Sequence, residues 1–145
     1  MSGITNPTEQ YFKDGVWGWD ETAWRKLAML WGYSDRWAEN LGGTKSGAGT
    51  YLASTVAVPA GWVYVAQFAF FRNITGVRGN AGIYFYDTVT AYWSCYVVAP
   101  VAWIPLLWNG AVPLCAGDSL RVTQSTCLDG DVIQAGVWGY KMRVS

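Results

Sequence analysis

The chain has no histidine. That removes Ser-His and Cys-His nucleophile systems and the commonest metal ligand. It has only three cysteines, Cys95, Cys115 and Cys127, an odd number without metal spacing. They read as buried, reduced thiols, with one disulfide and one free thiol as the alternative. Charge is scarce: 14% of residues are charged, against about 25% in ordinary domains. Ten basic and ten acidic residues cancel, and no basic stripe marks a nucleic-acid groove. No apolar run approaches the roughly 20 residues of a membrane span. The most apolar stretch, 97–108, is interrupted by Pro100 and Pro105. The first ten residues, MSGITNPTEQ, are polar and read as a tail without a secretion signal. No CxxC, P-loop or GxGxxG occurs. These absences imply no cofactor, no metal, no nucleic-acid partner and no membrane.

What is present is aromatic. The chain is 52% hydrophobic and 17% aromatic over 145 residues. That is more apolar surface than a small monomer easily hides, so burial against other subunits is expected. A net charge of zero does little to keep subunits apart. Five of the ten tryptophans fall in residues 16–37. Two readings of this segment compete. Asp20 caps a helix that puts Trp24, Leu27, Ala28 and Trp31 on one face. Alternatively, 16–19 and 24–27 are short strands around a turn at 20–23. The glycines at 15, 18 and 32 and the many aromatics favour the hairpin. Residues 41–49 hold four glycines and read as a linker. This divides the chain into an N-terminal arm, 1–45, and a folded domain, 46–145.

After the linker the pattern is β throughout. Strands are expected at 51–58, 62–71, 81–86, 91–98, 118–124 and 131–144. An interrupted strand is expected at 101–108, because Pro105 excludes a regular central one. Asn109-Gly110 is a turn signal. Seven or eight short strands with turns between them indicate an all-β antiparallel sandwich, and about eight strands in two sheets would be jelly-roll-like. Val58-Pro-Ala-Gly61 and Val112-Pro-Leu-Cys-Ala-Gly117-Asp118 echo each other as proline–glycine corners.

Candidate chemistry is thin. Asp129 and Asp131 flank Gly130 and read as a polar turn, with a weak calcium site or a hydrolytic carboxylate pair as rivals. Asp118 reads as a turn residue. Asn73-Ile-Thr75 matches a glycosylation sequon and reads as chance. Trp62, Trp93, Trp103 and Trp108 could stack on sugars; core or subunit interface is the plainer reading.

Val58-Pro-Ala-Gly61 with its following Trp-Val-Tyr-Val strand, Ala116-Gly-Asp-Ser-Leu-Arg121, and the Gly130-Asp131 turn leading to Val137-Trp-Gly-Tyr-Lys-Met142 resemble small jelly-roll virion proteins of tailed bacteriophages. The resemblance covers roughly residues 50–145. It implies a non-enzymatic homotrimer in the virion: a capsid decoration (cement) protein contacting the major capsid protein or another virion protein. A head-fibre or tail module binding host glycans is the alternative. The expected interface anchors lie in the arm: Trp17, Trp19, Trp24, Arg25, Trp31, Tyr33, Arg36 and Trp37. The rival account has these tryptophans closing the bottom of their own sandwich. Trp138-Gly139-Tyr140 is expected in a strand, with Gly139 admitting an aromatic from the arm.

Overall fold

The computed structural model describes Trp17–Trp19, Trp24–Lys26 and residues 35–143. All regular structure among them is strand. β1 (Trp17–Trp19) and β2 (Trp24–Lys26) pair antiparallel with Trp19 opposite Trp24. This is the hairpin reading, and it excludes a helix through Trp24.

The remaining strands are β3 (Asp35–Asn40), β4 (Gly43–Thr44), β5 (Gly49–Ser54), β6 (Trp62–Asn73), β7 (Ala81–Tyr86), β8 (Ala91–Val97), β9 (Leu106–Leu114), β10 (Ser119–Cys127) and β11 (Val132–Arg143). Their pairing is nested. β3 pairs with β11, β5 with β10, β6 with β9 and β7 with β8. The chain is thus one long antiparallel hairpin rolled into two sheets, β3-β11-β6-β9 and β5-β10-β7-β8, with β4 extending the path of β3 along β11. Eight strands nested in this way are a jelly roll. Ile83, Phe85, Leu120 and Val122 from one sheet meet Ala69, Phe71, Leu106 and Val137 from the other in a single core.

Alternation sets the faces. In β10, Leu120, Val122 and Gln124 point inward and are fully buried. β6 is apolar almost throughout, so sequence alone does not phase it. A bulge does. Gln67 is the extra residue of β6 against β11, and on its other side β9 sets Gly110 and Ala111 against it. Before Gln67 the inward residues are Tyr64 and Ala66; after it they are Ala69 and Phe71. Asn109-Gly110 therefore marks this irregularity inside β9 and not a hairpin turn. The stretch 98–105 is loop, and the strand starts after Pro105. Pro113 is tolerated because β9 is an edge strand.

The sandwich begins earlier than the glycine-rich segment suggests. β3 and β4 belong to its sheet, and residues 41–49 are strapped down. Leu41 N–H donates to Ala135 (2.9 Å), Lys45 N–H to Asp131 (2.8 Å) and Gly47 N–H to the Asp129 carboxylate (2.6 Å). A β-carbon on Gly42 would lie 2.7 Å from the Ile133 carbonyl oxygen. Glycine here permits close backbone approach, which in the sequence looks like flexibility. Gly139 has the same role. A β-carbon there would run into the β6 backbone at Val65, and on the other side the residue paired with Gly139 is Trp37 of β3.

The two echoed corners meet at one end of the sandwich. Gly61 and Gly117 have φ of 80° and 92°. Val58 N–H donates to Asp118 (3.0 Å), and Gly117 N–H donates back to Val58 (2.9 Å). At the other end sits Asp131, 1% exposed. Arg78 grips its two oxygens from Nε (2.6 Å) and Nη2 (2.7 Å). Leu128 N–H and the Asn73 amide also donate to it. Arg78's hydrogen bonds hold the carboxyl at about 2, against the upward push of burial. The Asn73 amide also bonds Gln124 of the opposite sheet (3.0 Å).

Two predictions follow from this packing. Gly139→Ala should destabilise the domain by about 3 kcal/mol or more, as overpacking against immovable backbone does; urea denaturation measures it. The Asp131 carboxyl is depressed below the unfolded value of about 3.9. Its contribution is therefore complete above about pH 4 and is lost as pH falls towards 2. It amounts to about 2 kcal/mol. Stability measured across that range should flatten in Asp131→Asn, which should also lose about 3 kcal/mol at neutral pH by stranding Arg78.

Candidate interaction surfaces

A filled jelly roll should show polar residues on its outer faces. This one does not. On the β3-β11-β6-β9 sheet, the Gln67 bulge turns Phe68 and Phe70 outward while the alanine Ala69 goes in. Phe68 stacks on Trp138 at 4.3 Å between centroids, and Phe70 meets the same indole edge-on at 6.2 Å. Trp138 remains 46% exposed, and Leu107, opposite Phe70, is 54% exposed. The strip continues into the 98–105 loop, where Val101, Trp103 and Ile104 are all exposed. Trp103 has φ of 71°, an unusual state for a bulky residue. Its N–H donates to the Asn73 carbonyl (3.0 Å), and the Arg72 guanidinium lies over its ring.

The opposite sheet carries a second aromatic group. Tyr84 packs on Trp93 (4.7 Å), and Trp93 meets Tyr96 edge-on (5.4 Å). Trp62 and Trp108, by contrast, pack against the core.

The expected arm anchors fall into three groups. Trp17, Trp19, Trp24 and Arg25 lie on the paired strands β1 and β2. Trp31 and Tyr33 lie outside the described residues. Arg36 and Trp37 lie in β3. Arg36 is exposed opposite Tyr140. Trp37 is in the core, packed on Tyr64, with its indole N–H donating to Glu39 (2.8 Å). Its apolar surface is buried within its own subunit, so for this residue the rival account holds. Sequence reading did not single out Phe68, Phe70 or Leu107. The available signal was the run Phe68-Ala-Phe-Phe71, too apolar for a strand with one wet face.

The polar candidates are structural. Asp129 holds Gly47. Asp131 is the buried partner of Arg78, and its surroundings make it far more than a turn residue. The Asp118 carboxylate accepts from Cys115 N–H (2.8 Å). Asn73 of the sequon is buried, its amide nitrogen engaged by Gln124 and Asp131 and its oxygen by the N–H groups of Thr75 and Gly76. Among the described residues no three acids or cysteines converge as a metal set. A mostly apolar cleft of about 320 Å³ opens at the sandwich end between Phe85, Tyr92 and Leu114, with Asp87 and Asp118 at its rim. Hydrogen bonds from the backbone of Thr90 and Val89 hold Asp87 below the usual carboxylate range.

All three cysteines are free thiols; Cys127 is buried, Cys95 half-buried and Cys115 exposed. The expectation of burial fails for Cys115, which sits in the corner after β9. Burial raises the thiol pKa of Cys127 and Cys95.

No protein-family model and no curated protein matches the chain.

A thiol reagent added to the native protein should modify Cys115 first and leave Cys127 untouched until denaturant is added. Mass spectrometry of the labelled peptides reads the order, and early labelling of Cys127 would contradict its burial.

Proposed function

We propose that the chain is a non-enzymatic structural subunit of a tailed-phage virion, a capsid decoration protein that works as a homotrimer. The observation that carries this reading is the outward strip of Phe68, Phe70, Trp138 and Leu107 on a sandwich whose core is already full. Such a face is stable in water only when covered, and a second copy of the same chain covers it at the lowest cost in specificity. Three copies are what the likeness to phage jelly-roll proteins implies. The arm leaves this same sheet at Asp35 and would carry contacts to the major capsid protein. Three arms on one trimer would bind by multivalency, each contact weak alone.

A second reading has its own observation. Trp93 and Tyr96 are each about half exposed on the other sheet, where sugar rings stack well. This favours a head-fibre or tail module that binds host glycans.

Light scattering on the full chain should give three times the chain mass, and Trp138→Gln should shift it towards one. A single-chain mass for the unaltered protein would overturn the trimer. A truncation that tests the arm must begin at Asp35, since β3 belongs to the sandwich. It should keep the trimer mass and lose binding to phage shells.

A further inference from the structure

The outward positions of the β5-β10-β7-β8 sheet form rows across the strands. Arg121, Tyr84 and Trp93 share one row, and Gly82 and Tyr96 are neighbours in the next. We infer that this face binds a carboxylate-bearing saccharide, with Arg121 taking the acid group and Trp93 and Tyr96 stacking on a sugar ring. The inference rests on the glycan-binding reading and gives it a ligand class.

Three features carry it. First, Trp93 lies down on the sheet instead of standing from it. Gly82 has no side chain, and a β-carbon there would collide with the Trp93 ring. The indole leans over that gap and against Tyr84, still 51% exposed. Tyr96 stands edge-on beside it, 52% exposed, so the two rings form an open corner. Second, the Arg121 guanidinium carbon lies over the Tyr86 ring, 3.6 Å from its centroid. Its guanidinium makes no hydrogen bond or ion pair with the described residues, and its Nε is buried without a partner. A planar fork resting over an aromatic ring, with its Nη groups uncommitted among the described residues, suits a planar carboxylate. Third, no other charged residue occupies the outward positions of these rows. The face is therefore locally cationic on a chain of zero net charge.

The spacing fits one ligand. The Arg121 guanidinium lies over Tyr86 and the Trp93 ring over Gly82, four residues apart on β7, roughly 13 Å, which a short oligosaccharide spans with its acid at one end and a ring at the other. Tyr84, only 9% exposed, forms the floor between them.

The test is the full chain on an oligosaccharide array that sets sialylated and uronic-acid-bearing members beside their neutral counterparts. Titration calorimetry on the bound members follows. Acidic members should bind in preference. Arg121→Gln should weaken them roughly tenfold or more and leave neutral sugars unchanged, while Trp93→Ala should weaken both. Arg121→Lys keeps the charge and the stem over Tyr86 but not the fork, and should lose most of the acid preference; its melting temperature and that of the other variants control for folding. Equal binding of acidic and neutral members would overturn the acid-specific site and leave glycan binding standing. No saccharide binding at all would overturn both. A fall in solution mass on Arg121→Gln or Trp93→Ala would show that this face is a subunit contact, and would overturn the inference too.

Discussion

The arrangement depends on one carboxylate taken out of water. Asp131 is almost wholly buried, and its charge persists because Arg78, Asn73 and the Leu128 N–H all converge on it. Each partner belongs to a different part of the chain. Arg78 comes from the connection between β6 and β7, Asn73 from the end of β6, and Leu128 from the turn after β10. Lys45 N–H reaches the backbone carbonyl of the same aspartate. Through Gln124 the network enters the second sheet. This one buried residue thus ties three connections, β4–β5, β6–β7 and β10–β11, together at one end of the sandwich, where apolar packing alone would leave loops to slide. Removing the charge leaves a half-buried guanidinium without its partner, so the loops and the sheets are coupled in stability.

The bulge at Gln67 has the opposite consequence. By shifting the phase of β6 it directs two alanines inward, Ala66 and Ala69, and two phenylalanines outward, Phe68 and Phe70. The inward alanines bring the sheets close enough to pack. The outward phenylalanines give the β3-β11-β6-β9 sheet an apolar exterior that the fold itself does not use. Core packing and the proposed assembly face are set by the same extra residue.

Much of this was legible in the sequence. β7 and β8 fall within a residue of their expected bounds, because 81–86 and 91–98 are short, aromatic and separated by a polar turn. The two-strand reading of 16–27 also agrees with the fold. The misreadings have physical causes. Glycine has one signature for two roles: at Gly42 and Gly139 it allows backbones to touch, whereas the composition of 41–49 looks like slack chain. Asn109-Gly110 satisfies a hairpin turn equally well as a wide spot in an edge strand. Trp37 looks like its neighbours in an aromatic segment, and only the register of β3 on β11 turns it inward. Arg121 could not be singled out, since its isolation depends on which residues face it across the sheet.

The place of β3 has a mechanical consequence. It is the first strand of the sandwich, and the chain preceding it continues directly into the arm. It lies along the middle of β11, which is itself held by β6 on its far side. A pull directed along the axis of β3 loads six cross-strand pairs together and passes to an inner strand of the sheet. Rungs loaded side by side resist together, where rungs peeled in turn give way singly. A tether rooted there is anchored in the most heavily paired strand of the sheet.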